Sequence, residues 1–262
     1  AGGVESMSRI PMTGFNPMPN PELADEAMTS MGITAENLSK RHDIGRDAQE
    51  AFAIESQTRA AAARESGAFS DEIVAIETSD GTVSEDGCIR PGTNSEALGK
   101  LRPAFDANGT VTAGTSSPLT DGAAFVFVCS EDFAAEHGLE PMARIKSAAV
   151  SGCAPEIMGI GPVSASRKAL ERAGLSLDDI DLIELNEAFA AQSLAVIGEL
   201  GLDRDKVNIE GGAIALGHPL GASGARITGK AAQLLKRNGG KHALATLCVG
   251  GGMGMAIVLE QI

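Results

Sequence analysis

The second half of this chain alternates short apolar segments with longer runs of good helix formers, and glycines separate many of them. Helices are predicted at residues 163–173, 187–200 and 225–237, and glycine follows the first and the last of them. The segments around them have the length of strands: residues 144–150, 180–185, 207–209, 243–248 and 255–259. Strands that alternate with helices of this length predict an α/β sheet.

Residues 112–128 and 246–259 share one order of features: a short strand, a turn and a continuous apolar strand. Two half-sheets that each end in such a hairpin predict a duplicated core. In the first copy a short strand is predicted at Val111–Gly114, and residues 123–129 are predicted to form a strand buried on both faces. Only the second copy has a full β-α-β-α-β-α-β-β run, so the first half-core is expected to be incomplete.

Before residue 110 the sequence predicts loops and two helices. Residues 1–33 are expected to be rich in loops, and Thr34 is expected to cap the start of a helical stretch. A longer helix is predicted at residues 46–65, with Gly67 placed to end it. Residues 80–109 are rich in Gly, Ser, Asp, Pro and Asn, a composition that predicts a loop.

The charge balance and the apolar runs exclude two classes of partner. Thirty-five acidic and 21 basic residues give a net charge of −14, which disfavours a nucleic-acid partner because phosphate backbones require clustered Lys and Arg. The longest apolar run, residues 123–129, is far shorter than the ~20 residues of a membrane helix. No signal peptide is visible, and the low density of cysteines favours a cytoplasmic protein.

The cysteines predict neither disulfides nor a metal site. There are four, and their spacing contains no Cys-x-x-Cys pair and no Cys/His cluster: Cys88, Cys129, Cys153 and Cys248. This low density suits a reducing compartment.

Three glycine-flanked motifs contain the candidate chemistry. Residues 186–190, Asn-Glu-Ala-Phe-Ala, follow an apolar strand, at the edge where α/β sheets collect ligands; the alternative is that Asn186 only caps a helix. Five glycines surround His218 within residues 211–224. This pattern is typical of a histidine held toward a ligand by a rigid loop, of a phosphate-binding loop, or of a histidine with a structural role. In residues 248–254 Cys248 precedes a glycine turn. A cysteine in this position is either a reactive thiol or a small buried apolar residue.

Together, and in this order, the three motifs resemble the C-terminal signatures of the thiolase family, the acyl-CoA C-acyltransferases. The resemblance covers essentially the whole chain, because three earlier blocks also resemble family segments: residues 1–8, 31–37 and 112–117. It implies a thiolase-like duplicated α/β core with an inserted loop domain. The implied division is 1–108 for the end of the N-terminal core plus the loop domain, 109–138 for its final strand pair, and 139–262 for the C-terminal core domain.

The resemblance also implies roles for four residues. His218 would bind the keto or thioester oxygen and help to activate a nucleophilic thiol, while Asn186 would hold a water that completes one oxyanion hole. Cys248 would be the acid and base that moves the proton at C2 of the thioester. The backbone N–H of Gly250 would belong to a second oxyanion hole. Two such holes suit a Claisen reaction, which develops negative charge on two different oxygens.

Coenzyme A is the implied co-substrate, with no tightly bound cofactor and no metal. The residues that the resemblance assigns to its binding are Met31, Arg90, Phe105, Ala113, Ser117, Leu119, Met158, Ala188 and Phe189. Arg90 would meet the nucleotide end. For Met158 and Phe189, packing in the core is the plain alternative.

One departure from the family is large: the nucleophilic cysteine of a thiolase belongs to an N-terminal motif that these 262 residues do not contain. The chain also starts without Met, so we expect a piece that lacks about the first third of a family member. The implied activity is thiolysis of 3-oxoacyl-CoA or the reverse condensation, in a homodimer or homotetramer. The alternatives are a noncatalytic acyl-CoA-binding module and a ketoacyl synthase-like enzyme, although synthases lack a counterpart of Cys248.

Overall fold

The computed structural model describes residues 1–10, 22 and 25–262. Thirteen residues of the predicted loop-rich segment 1–33, 11–21 and 23–24, lie outside the described residues, and they include Gly14 to Pro21. The strands are β1 (Gly2–Ser6), β2 (Ile76–Thr78), β3 (Gly81–Val83), β4 (Asp121–Phe125), β5 (Arg144–Gly152), β6 (Leu182–Leu185), β7 (His242–Val249) and β8 (Met253–Glu260). The helices are α1 (Met31–Arg41), α2 (Arg46–Glu65), α3 (Ser95–Gly99), α4 (Glu131–Glu136), α5 (Gly161–Ala173), α6 (Ala190–Leu200), α7 (Ala213–Leu216) and α8 (Ser223–Asn238).

The predicted α/β sheet is the four-stranded sheet β5-β8-β7-β6. Strands β5, β8 and β7 are antiparallel neighbours, and β6 pairs with β7 in parallel. Helices α5 and α6 cover the face that carries Ile183 and Leu185, and α8 covers the opposite face with Leu182. Four predicted strands are therefore confirmed, and two helices end in left-handed glycines as expected, Gly174 at φ 68° and Gly239 at φ 76°.

The predicted strand at residues 207–209 is wrong, because this segment forms only one isolated bridge, from Val207 to Ile183. Asn208 adopts a left-handed conformation at φ 47°. Its side-chain amide accepts from the backbone N–H of Leu185 (2.9 Å) and donates to the Leu185 carbonyl (2.8 Å). The side chain thus takes the hydrogen bonds that a further strand would have supplied.

The first predicted hairpin, in residues 112–128, differs more from the structure than the segment 207–209 does. Strand β4 ends at Phe125 and pairs only with β1, and one of its faces is exposed, so the run 123–129 is not a strand buried on both faces. The predicted strand at Val111–Gly114 is replaced by a 3₁₀ turn at Ala113–Thr115. The Thr115 hydroxyl accepts from the Thr112 N–H (2.9 Å), a local bond that competes with strand pairing.

The region before residue 110 contains more structure than expected. Helix α2 has the predicted bounds, with Gly67 left-handed at φ 75°, but α1 begins three residues before Thr34. The hairpin β2–β3 and helix α3 include residues of the predicted loop 80–109. Within the described part of the chain, no helix has the length and apolar character needed to span a membrane.

Candidate active site

Asn186 and His218 come together at the end of β6. The N–H of Asn186 donates to the Thr246 carbonyl (3.0 Å), so the parallel pairing of β6 with β7 continues into this residue. His218 follows α7 and Gly217, whose φ of 93° is a glycine conformation. The Asn186 Nδ2 and His218 Nε2 atoms lie 3.3 Å apart. The helix-cap alternative for Asn186 is wrong, since α6 begins at Ala190 and its N-cap is Phe189.

The His218 ring is held from both sides. Its Nδ1 lies 2.6 Å from the Ser223 hydroxyl, which donates to the Pro219 carbonyl (3.0 Å). Because that hydroxyl has one proton, this arrangement places a hydrogen on Nδ1 and leaves Nε2 free to accept. Burial, reinforced by the positive charge of Arg226, lowers the pKa of His218 to about 4. The imidazole is therefore neutral at physiological pH and able to take a proton.

The phosphate-loop alternative for residues 211–224 does not fit the start of α8. The Gly221 N–H donates to the Glu5 carboxylate (3.2 Å), so a side chain from β1 already supplies an anion there. A second negative group at the same place would be repelled.

Cys248 lies at the end of β7 and is buried. Burial raises the pKa of its thiol to about 12, so the sulfur keeps its proton at neutral pH. Its apolar surroundings contain four of the residues expected to contact coenzyme A: Met31, Met158, Ala188 and Phe189. Met158 and Phe189 are buried, as the core-packing alternative also requires.

The glycine turn after Cys248 exposes backbone donors. Gly251 and Gly252 have φ values of 86° and 95°, conformations that suit glycine alone. The Gly252 carbonyl accepts from the Cys153 N–H (2.7 Å). Among the described residues, the N–H of Gly250 has no hydrogen-bond acceptor, so it is available to a ligand.

The segment 113–119 crosses the same cluster. The Ser117 N–H donates to the Ala188 carbonyl (3.0 Å), and the Phe105 ring packs edge-on against Phe189 with centroids 5.8 Å apart. Ala113 and Leu119 are exposed on this segment. Six of the nine residues expected to bind coenzyme A are therefore joined by direct contacts around Cys248.

Arg90 is not part of this cluster. Its side chain is exposed and forms no ion pair with the described residues. Its backbone N–H donates to Gln57 Oε1 (2.7 Å), and Gln57 Nε2 donates to the Ile214 carbonyl of α7 (3.1 Å). One side chain of α2 therefore fixes both the Arg90 loop and the helix that leads to His218.

Sequence reasoning missed three residues that support the site: Ser223, Gln57 and Glu187. Glu187 is buried next to Asn186 and accepts hydrogen bonds from three groups. Its position inside the motif Asn-Glu-Ala-Phe was a usable signal, since a carboxylate rarely lies in an apolar context without partners. Among residues 1–10, 22 and 25–262, no three His, Cys, Asp or Glu side chains form a group that could hold a metal ion.

Comparison with known proteins identifies the family. The thiolase N-terminal domain model matches residues 1–132, and the thiolase C-terminal domain model matches residues 139–261. An acetyl-CoA acetyltransferase of Chromobacterium violaceum is 49% identical, over all of this chain and 72% of that protein. A 3-ketoacyl-CoA thiolase of Idiomarina loihiensis is 53% identical, over all of this chain and 70% of that protein.

Solved structures support the same family assignment. The human mitochondrial 3-ketoacyl-CoA thiolase superposes with a TM-score of 0.90 at 44% identity, over all of this chain and 71% of that one. A structure of the same human enzyme in complex with CoA gives a TM-score of 0.91 at 45% identity, over all of this chain and 70% of that one. The thiolase-like α/β fold and the acyltransferase class expected from the sequence are confirmed. This chain belongs to the thiolase family.

Proposed function

We propose that this protein catalyses the CoA-dependent thiolytic cleavage of 3-oxoacyl-CoA to acetyl-CoA and a shortened acyl-CoA, or the reverse condensation. One observation supports this most: the buried thiol of Cys248 and the Asn186–His218 pair lie at the ends of two neighbouring parallel strands, beside a turn with a free N–H at Gly250. The relatives named above supply the substrate class.

In the proposed reaction the neutral His218 accepts the proton of a nucleophilic thiol and binds the oxygen that becomes negative. The thiolate attacks the 3-keto carbon, and the bond between C2 and C3 breaks to give an acyl thioester and the enolate of acetyl-CoA. Cys248 then donates its proton to C2 of that enolate, which releases acetyl-CoA. A thiol with a pKa of about 12 suits this donation, because it stays protonated until a stronger base forms beside it. The thiol of a CoA molecule gives its proton to the Cys248 thiolate and attacks the acyl thioester. The shortened acyl-CoA leaves, and the freed nucleophilic thiolate takes its proton back from His218.

The two oxyanion holes follow from the same geometry. Asn186 Oδ1 is buried without a partner among the described residues, which suits a bound water that would share one oxygen with His218. The N–H of Gly250 would serve the carbonyl of the acyl-enzyme. We propose that none of the four cysteines is the nucleophile, and the lack of a hydrogen bond from any of their sulfurs to His218 supports this.

Coenzyme A would lie along the cluster around Cys248, with its pantetheine arm against the apolar side chains and its phosphates toward Arg90. The binding residues proposed are Met31, Arg90, Phe105, Ala113, Ser117, Leu119, Met158, Ala188 and Phe189. A cytoplasmic homodimer or homotetramer remains our proposal for the assembled protein, supported by the family resemblance and by the exposed apolar face of β4.

Replacing Cys248 with serine in the full-length protein should separate the two half-reactions. A hydroxyl has a far higher pKa than a thiol and is a poor proton carrier at C2, but the acyl thioester does not need it to form. Incubation with acetyl-CoA should still give an acetyl mass increment, while condensation falls by about 10²-fold or more.

The wild-type protein and a CoA titration are the controls. Wild-type-like condensation in Cys248→Ser would remove this residue from the chemistry. Binding of CoA without acetylation or turnover in the wild-type protein would support the noncatalytic module instead.

A further inference from the structure

We propose that the buried carboxylate of Glu187 is a positioning residue for His218: it anchors the start of α7 and thereby sets the contact between His218 and Asn186. The proposal rests on the function proposed above, in which His218 does chemistry. It assigns a task to a carboxylate that hydrogen-bonds neither to the ring of His218 nor to the side chains of the cluster around Cys248.

Three donors converge on Glu187. Its Oε2 accepts from the Ser56 hydroxyl of α2 (2.6 Å) and from the backbone N–H of Ile214 (3.2 Å), and its Oε1 accepts from Asn208 Nδ2 (2.7 Å). The Ser56 oxygen in turn accepts from the Gly212 N–H (3.0 Å). The carboxylate therefore ties the start of α7 to α2 and to the end of β6.

Helix α7 depends on such an anchor. It has four residues, and a helix this short is not stable by itself because the cost of its first turn is not repaid. Its C-terminal end leads at once through Gly217 to His218. A Cβ at Gly212 would overlap the Glu187 carboxylate, so the chain passes directly against the anchor. Any loosening at Ile214 is transmitted over four residues to the imidazole.

Glu187 also follows Asn186 directly in the sequence. Both members of the 3.3 Å pair are thus fixed from one point, Asn186 through the chain and His218 through α7. A merely structural carboxylate would stabilise the fold without this link to the ring.

The site requires a carboxylate rather than an amide. The Asn208 amide cannot turn over, because its oxygen accepts from Leu185 N–H and its nitrogen donates to the Leu185 carbonyl. A glutamine at position 187 would face Asn208 Nδ2 or Ile214 N–H with its own N–H₂ group, and one donor would lose its acceptor. Burial raises the pKa of Glu187, and the hydrogen bonds from Ser56, Asn208 and Ile214 oppose that rise.

The test compares Glu187→Gln with Glu50→Gln in the full-length protein. Glu50 is also a buried glutamate, but its partner is Arg46 on its own helix (2.6 Å), and it forms no hydrogen bond to α7. The readout is the titration of the His218 ring by NMR without substrate, together with kcat and KM for CoA.

Glu187→Gln should raise the pH at which His218 titrates by about one unit, since a displaced ring gains water. It should also lower kcat by about 10-fold or more with KM for CoA within about twofold. Glu50→Gln should leave the titration and kcat unchanged. An unaltered His218 titration in Glu187→Gln, or the same change in both variants, would overturn the proposal.

If Glu187→Gln does not fold, the Ser56→Ala variant provides the test of the proposal. It removes one donor to Glu187 and the acceptor of the Gly212 N–H, so His218 should titrate above the wild-type pH, by less than the unit expected for Glu187→Gln. A wild-type titration of His218 in Ser56→Ala would contradict the proposal. Because this measurement needs no substrate, it can succeed even if the protein proves to bind CoA without turnover, which would be a failure of the proposed function alone.

Discussion

Two apolar segments of similar sequence have opposite surroundings in this molecule. Residues 243–248 lie in β7, between β8 and β6 and under helices on both faces, and Leu244 is 0% exposed. Residues 123–129 lie in and after β4, which pairs with β1 alone, and Phe125 and Phe127 are 77% and 75% exposed. Burial of an apolar run is decided by its neighbours and not by its own composition.

The two faces of the strand pair β1–β4 also differ in burial. One face packs on α8 and on the loop that follows His218, where Gly3 lies against Gly221 and Gly122 against Pro219. The other face carries Val4 and Phe125 into solvent. The pair therefore supports the loop that follows His218 on one side, while the rest of its apolar surface contributes nothing to the core.

Truncation of one side chain in each of the two apolar segments should give the largest difference in the free energy of unfolding. Leu244→Ala should lower the free energy of unfolding by about 2–5 kcal/mol, because it leaves a cavity in a packed core. In a monomer Phe125→Ala should change it by no more than about 0.5 kcal/mol, because that face of β4 is then open to solvent. Urea unfolding of both variants measures this, and equal losses would show that β4 is buried in solution.

A smaller effect is expected where the strand pair meets the His218 loop. A Cβ at Gly3 would overlap the Gly221 carbonyl oxygen, so Gly3→Ala should cost about 1–3 kcal/mol through overpacking. The matched control is Gly87→Ala, since that exposed glycine has open space around its Cβ position. Thermal unfolding of the two variants compares them, and an unchanged Tm in Gly3→Ala would mean that β1 does not hold the loop.

The smallest effect is in the pH dependence of stability. Burial raises the pKa of Glu184 in β6 to about 8, whereas hydrogen bonds from Ser8 lower the pKa of the exposed Asp121 in β4. Between about pH 4.5 and 8 the folded protein keeps a proton on Glu184 that the unfolded chain has lost, so this residue makes stability fall as pH rises. Asp121 does the reverse, because its stabilisation is present above its unfolded pKa and is lost as pH falls.

Glu184→Gln should therefore flatten the decline in stability between about pH 4.5 and 8 relative to wild type. Denaturant titrations at several pH values measure the slope. Asp121→Asn should leave that window unchanged and alter only the acid side. A wild-type slope in Glu184→Gln would show that Glu184 is ionised in the folded protein.

Much of the fold could be predicted because local signals agreed with the tertiary structure. In α2 the helix formers, the bounds and Gly67 all coincide with what the structure shows, and the ends of α5 and α8 are set by left-handed glycines. The segment 207–209 failed for a physical reason: the side chain of Asn208 takes the strand's hydrogen bonds, and periodicity carries no information about that competition.

The residues of the candidate site also divide into those that the sequence indicated and those that it did not. Motif order pointed to Asn186, His218 and Cys248, residue types whose chemistry is evident from the sequence. Of their supporting residues only Glu187, inside the motif Asn-Glu-Ala-Phe, left a signal in the sequence. Its partner Ser56 is 131 positions away, and only folding brings the two within 2.6 Å.

The sequence alone thus determined the alternation of strands and helices, the family resemblance and the candidate residues for the chemistry, since these depend on local pattern and residue type. Only the tertiary structure decided which apolar run is buried, that the His218 ring is neutral, and that Glu187 holds α7. Each of these depends on solvent exclusion and on hydrogen-bond partners from distant parts of the chain, and neither is encoded in any single segment.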